Sequence, residues 1–304
     1  MTRKNDTQDW VETLAKNASA SICYSKLTRT NGAAANAVTL ECSTAGVVAA
    51  RDHYGGSDSR DSWAGSWSST RKWLVTGSGD KKRADKIEKR MASLSAGATL
   101  APRWAKDVGG YFPCVADAIG GSPRSMRRKK LAASDGGSIT VFFPLNCSAA
   151  VSQDDFTELM CEVSSALCAL ATQRTVRLVC YGSLDCELPA EHTANGAADA
   201  CFWKIPVDVQ YLDARLLSVW STVSVGRTVL MEIMRASGSG YSGNWPWRLW
   251  PSADGEMSLY RAALGATEQD MVIPPIYNGT AALKEIRAAF KSHMESVGLH
   301  MEVN

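Results

Sequence analysis

Ser138-Ile-Thr-Val-Phe-Phe-Pro-Leu145 and Thr175-Val-Arg-Leu-Val-Cys-Tyr181, with the segment between them, decide the fold. Both runs are rich in β-branched and aromatic residues, which suit a strand buried on both faces. Between them Phe156, Leu159, Met160, Val163, Leu167 and Leu170 recur at helical spacing. Ser152, with Asp155 three residues on, opens that helix as a capping box would. The spacing predicts strands over 139–145 and 176–182 and a helix over 153–172. Such a strand–helix–strand unit makes the two strands parallel, with a right-handed crossover.

Downstream, Cys201-Phe-Trp-Lys-Ile-Pro-Val207 reads as a third strand or an edge segment. Residues 209–235 read as helix in two pieces, marked by Leu212, Leu216, Leu217 and Trp220 and then by Val229, Leu230, Ile233 and Met234. Ser237 to Trp247 is Gly/Ser-rich and reads as loop. Met271-Val-Ile273, stopped by Pro274 and Pro275, is a last short strand, and a closing helix is expected over 280–297.

Upstream the pattern is less regular. Trp10 to Ala15 opens a short helix and Ala37 to Cys42 alternates like a strand. Residues 51–70 read as loop anchored by Trp63 and Trp67, and Arg71 to Val75 as a short helix after Ser68-Ser69-Thr70. Ile87, Met91 and Leu94 mark a helix from Lys81 to about Leu94, after which Gly109–Val115 and Gly120–Arg124 are dominated by turn residues. The expected architecture is therefore α/β. A βαβ-based sheet with flanking helices occupies the C-terminal half, behind a less regular basic N-terminal region. The division is 1–135 and 136–304, with one continuous domain as the alternative.

The net charge of +2 conceals an asymmetry between the halves. Residues 1–150 hold 22 Lys and Arg against 13 Asp and Glu, a balance of +9; residues 151–304 hold 11 against 18, a balance of −7. Such asymmetry points to nucleic acid or another charged partner. Two clusters carry the positive half. The first is Lys81, Lys82, Arg83, Lys86, Lys89 and Arg90 on the predicted helix; the second is Arg124 with Arg127, Arg128, Lys129 and Lys130. Arg71, Lys72 and Trp73 add an aromatic among cations. Clustered Lys and Arg bind phosphate backbones, and an exposed ring stacks on unpaired bases. The two clusters are expected on one face, with single-stranded DNA or RNA as ligand.

Other chemistry is thin. Nine Cys without a CxxC pair read as buried free thiols in a reducing cytoplasm, and Cys186 and His192 lack the paired spacing of a zinc site. Gly240-Tyr-Ser-Gly243 falls one residue short of a nucleophile elbow and no strand leads into it. No signal peptide or run of about 18 apolar residues is found, so no membrane partner is expected.

At Asn146-Cys-Ser-Ala-Ala150 the 138–182 segment resembles the von Willebrand factor A-type fold, whose metal site opens with Asp-x-Ser-x-Ser in this context. Asn146 stands in place of the Asp, Ser148 matches, and Ala150 replaces the second Ser. That neutral set lacks the carboxylates a divalent ion needs, so no metal or other cofactor is expected. Tyr111-Phe-Pro-Cys-Val115, Gly121-Ser-Pro-Arg-Ser-Met126 and Trp63-Ala-Gly-Ser-Trp67 resemble segments of uncharacterised phage-encoded proteins. That likeness implies a viral or mobile-element origin, with the host cytoplasm or the virion as location.

These observations favour a non-enzymatic protein that binds nucleic acid through its N-terminal basic clusters. An assembly or virion protein that packs against copies of itself is the second reading, and an enzyme with an unrecognised site the third.

Overall fold

A computed structural model describes residues 10–28, 34–54, 66–95, 103–107, 112–113, 115–119, 125–130, 138–145, 151–171, 175–185, 198–207, 213–226 and 257–276, with Cys147, Lys284, Ala288 and Ser292. In chain order the elements are α1 (Trp10–Ala18), β1 (Ser21–Thr28), β2 (Ala34–Glu41), α2 (Thr44–Tyr54), α3 (Trp67–Thr76), α4 (Lys81–Ser95), β3 (Arg103–Asp107), β4 (Phe112–Pro113) and α5 (Val115–Ile119). There follow β5 (Met126–Lys130), β6 (Ser138–Pro144), α6 (Gln153–Ala171), β7 (Thr175–Asp185), β8 (Ala198–Val207), α7 (Ala214–Trp220), α8 (Met257–Leu264) and β9 (Met271–Val272).

The strand–helix–strand unit is present as expected. β6 and β7 are adjacent and parallel, with Ile139 opposite Val176 and Phe143 opposite Cys180. The capping box that starts α6 is complete: Asp155 N donates to Ser152 Oγ at 3.1 Å, while Ser152 N and Oγ donate to Asp155 Oδ2 at 3.3 and 2.8 Å. All six apolar residues that predicted this helix are buried. Each such side chain stabilises the fold by about 1.5–3 kcal/mol relative to exposure.

The six-stranded sheet runs β1-β2-β8-β7-β6-β9. It takes β1 and β2 from before residue 135 and the other four strands from after it, so it spans the 135/136 division. β1 pairs antiparallel with β2, β2 parallel with β8, β8 antiparallel with β7, and β6 parallel with both β7 and β9. β8 therefore lies inside the sheet, and the edge reading of residues 201–207 is corrected. Its residues explain this, because Cys201, Phe202, Trp203 and Ile205 are all buried, which requires cover on both faces. A second, three-stranded antiparallel sheet has the order β3-β5-β4. It places a strand at Phe112–Pro113, within a segment whose composition read as turn.

Helices cover both faces of the large sheet. Phe143 meets Phe156 of α6, with ring centroids 5.4 Å apart. Tyr181 and Phe202, which point to the opposite face, meet Tyr260 of α8 at 6.1 and 5.5 Å. Thr39 Oγ1 donates to the Ala263 carbonyl at 2.8 Å and ties α8 to β2 on that face. Outside α6 lie α4 and α7, forming a further helical layer.

That outer layer is built on close backbone approach. A Cβ on Gly226 would sit 1.7 Å from the Leu145 carbonyl oxygen, and one on Gly79 would sit 2.3 Å from Ser218 Oγ. Neither position has room for a side chain. The second helical piece of 209–235, the 237–247 loop and nearly all of the closing helix lie outside the described residues, as do Trp63 and most of the Asn146–Ala150 loop.

Candidate nucleic-acid interface

The first basic cluster stands on α4, and Arg71, Lys72 and Trp73 stand on α3, the helix before it. α3 begins at Ser66, whose Oγ accepts from Ser69 N at 3.2 Å, and it stops at Gly77, which has φ +63°. Only a glycine adopts that left-handed conformation without strain. Three residues later Asp80 caps α4, its Oδ1 accepting from Arg83 N at 3.2 Å. Gly79, between the two helices, donates its N–H to the Arg215 carbonyl at 3.2 Å and so pins the connection to α7.

Not every cation of the cluster faces solvent alone. Lys86 Nζ pairs with Glu158 of α6, and Arg90 Nη2 pairs with Glu162 Oε1 at 3.2 Å. Both pairs advance by four residues along both helices, so α4 and α6 run parallel, with one rung per turn. The hydrogen bond from Glu158 is the main cause that raises the Lys86 pKa above its ordinary value, against partial burial that lowers it. Surface pairs of this kind contribute about 0–1 kcal/mol each. Their importance lies in which charges they occupy.

Arg83 turns inward. Its guanidinium carbon lies 5.0 Å from the centroid of the Trp73 ring, and its Nε and Nη2 are buried with no hydrogen-bond partner among the described residues. Desolvation lowers its pKa, with Asp80 opposing. Trp73 is only half exposed, and Arg83 occupies one face of its ring. Arg71 is also engaged: its Nε donates to Asp52 Oδ2 at 2.9 Å, while Trp67 Nε1 donates to Asp52 Oδ1 at 3.2 Å. Lys72, Lys81, Lys82 and Lys89 remain exposed, with no ion pair among the described residues.

The second cluster belongs to the small sheet. Arg127, Arg128, Lys129 and Lys130 fill β5, the middle strand, and Arg124 lies outside the described residues. α4 packs on α6 and α7, and no extended packing joins it to the small sheet. The cross-strand partners of β5 could not be found from sequence. They come from segments about 20 residues upstream whose pairing depends on register.

The described thiols offer no nucleophile in the core. Burial pushes Cys42 up to about 12 and Cys161 and Cys168 up to about 11, and it raises Cys180 and Cys201 too. Among the described residues no group of three or more His, Cys, Asp or Glu could hold a metal ion. No described helix is long and apolar enough to cross a membrane.

A family match spans residues 5–298, nearly the whole chain. The chain belongs to DUF7192, a domain of unknown function. DUF7192 thus takes in both the basic half and the acidic half, together with every element described above. No curated protein and no solved structure matches the chain. The comparisons carry neither the von Willebrand factor A-type likeness nor the phage likeness.

Proposed function

We propose that this DUF7192 protein binds nucleic acid through its basic elements. The observation that carries the reading is the set of exposed lysines, Lys72, Lys81, Lys82 and Lys89, that has no acidic partner among the described residues while neighbouring cations are paired. Fixed lysines on a capped helix attract a phosphate backbone, and binding releases its condensed counterions. The cation run of β5 adds to the same reading. All seven described cysteines are free thiols, which supports work in a reducing cytoplasm, that of a host cell if the phage likeness reflects origin.

Self-assembly through the charge asymmetry is the competing reading. Lys86–Glu158 and Arg90–Glu162 join the basic half to the acidic half within one chain, which removes part of its support. Anisotropy of a labelled oligonucleotide, measured from low to high salt, tests the proposal. Binding should weaken steeply with salt, and replacing Lys81, Lys82 and Lys89 by Ala should reduce the log–log slope by roughly 0.7 per lost contact on single strands. A wild-type protein indifferent to DNA and RNA at about 50 mM salt would end the nucleic-acid reading.

A further inference from the structure

The register of the small sheet gathers residues that the sequence keeps apart. Arg127 in the middle strand stands opposite Lys106 of β3 on one side and Phe112 of β4 on the other. Trp104 stands opposite Lys129, and Arg103 opposite Lys130. Directly opposed residues share a face of an antiparallel sheet, and faces alternate along each strand. Trp104, Lys106, Phe112, Arg127 and Lys129 therefore belong to one face. That face combines two aromatics with three cations and includes no acidic residue.

The arrangement is costly without an anion. Lys106 against Arg127 and Arg103 against Lys130 set like charges directly opposite, which destabilises a strand pair. Arg103 and Lys130 lie on the other face, so a polyanion laid across the Trp104 face neutralises the Lys106–Arg127 row and turns that penalty into attraction. The aromatics decide which polyanion. Their rings reach bases only where the bases are unstacked, which favours a single strand over a duplex.

We infer that this face of the β3-β5-β4 sheet is a stacking platform for single-stranded nucleic acid. Trp104 and Phe112 take bases, and Lys106, Arg127 and Lys129 take the flanking phosphates. The inference rests on the nucleic-acid reading above and names its ligand class and its base-contacting residues.

The test uses the full chain, a labelled oligothymidylate of about 20 nucleotides and a duplex of equal length. Trp104→Ala and Phe112→Ala should each weaken single-strand binding by about 5- to 100-fold and leave duplex binding nearly unchanged, while Trp104→Phe retains most of the affinity. Lys106→Ala and Arg127→Ala should each flatten the salt slope by roughly 0.7. Ultraviolet cross-linking of a 5-iododeoxyuridine oligonucleotide to the wild-type protein requires no variant to fold, and its adducts should map to Trp104 and Phe112. Tight binding by both alanine variants, or adducts confined to α3 and α4, overturns the platform and leaves the broader reading standing. Polyglutamate competing as well as oligothymidylate would make the face a protein-docking surface instead. A wild-type protein that binds no oligonucleotide overturns both.

Discussion

The guanidinium of Arg83 lies over the ring of Trp73, 5.0 Å from its centroid, and two of its nitrogens are buried without a hydrogen-bond partner among the described residues. A residue that read as a phosphate contact and one that read as a base-stacking ring lie against each other. This pair joins α3 to α4, so its consequences are expected in stability more than in binding. Trp73→Ala should cost about 1–3 kcal/mol, by loss of packing and of the cation–π contact. Arg83→Met should be neutral or stabilising, because it removes a charge that burial leaves poorly solvated. Urea denaturation of both variants checks the pair; equal losses would show that the Arg83 charge stabilises the fold.

Glu158 and Glu162 act as built-in counterions to Lys86 and Arg90. Replacing both glutamates by Gln should change stability by no more than about 1 kcal/mol per pair. It should also release Lys86 from its counterion and steepen the salt dependence of single-strand binding by up to roughly 0.7. Anisotropy titrations at several salt concentrations provide the measurement. An unchanged slope would place Lys86 away from the ligand.

Asp270 clips β6 to the turn after α8. Its Oδ1 accepts from Thr140 N at 2.7 Å, and its Oδ2 from Thr267 N and Oγ1 at 2.7 and 2.8 Å. Burial alone would raise this carboxyl, but the hydrogen bonds from Thr267 and Thr140 outweigh it and hold the pKa below its ordinary 3.8. A depressed carboxylate contributes stability that is complete above the ordinary value and is lost as pH falls through the folded one. Asp270→Asn should therefore cost about 1–3 kcal/mol near neutral pH, where an amide N–H must face the Thr267 donors. The loss should shrink in acid. Denaturation curves from about pH 7 down to about pH 3 test the sign.

Gly226→Ala should be among the most damaging small changes in the chain. Its Cβ would fall 1.7 Å from the Leu145 carbonyl oxygen, so backbone must move at the end of β6. Overpacking of this kind costs about 1–3 kcal/mol or more. Gly265→Ala is the contrast: Gly265 has a positive φ, of 68°, and nothing lies within 4 Å of its Cβ. It should lose only about 1 kcal/mol from strain. Thermal melts of the two variants should separate steric from conformational cost.

Thiol titration gives a fifth check. Cys42, Cys161, Cys180 and Cys201 are buried and their pKa values are raised, so they should resist a disulfide reagent in native protein at about pH 8 and react on unfolding. Exposed Cys23 should react at once. Native-state labelling read by mass spectrometry distinguishes these sites.

The central unit was legible because its signals are local. Ser152 and Asp155 cap α6, Phe156, Leu159, Met160, Val163, Leu167 and Leu170 are buried along it, and the strands on either side are mostly apolar. β1 escaped notice because Ser21–Thr28 is an edge strand with mostly exposed or half-exposed side chains, so it lacks an apolar run. β8 looked like a possible edge because Lys204 and Pro206 interrupt it, yet Lys204 reaches Glu41 at 3.1 Å, and Cys201, Phe202, Trp203, Ile205 and Val207 are buried. In the basic clusters, sequence identified the charged residues but not their partners. Whether Lys86 meets a phosphate or Glu158 depends on how two helices about 70 residues apart come to lie side by side, and no local pattern encodes that.

The parallel pairing of β2 with β8 sets a condition on how the chain can be made. Ala35 pairs with Ala198 and Glu41 with Lys204, so the first hairpin of the protein has no inner neighbour until the chain has been synthesised past residue 204. At typical translation rates that wait is on the order of ten to thirty seconds. Throughout it the strand that carries Val38 and Leu40, which are fully buried in the finished sheet, lacks its β8 neighbour. A nascent chain in that condition is a natural client for a ribosome-bound chaperone. Ribosome stalling short of residue 198 should yield a hairpin open to protease, and stalling beyond the emergence of β8 a protected one.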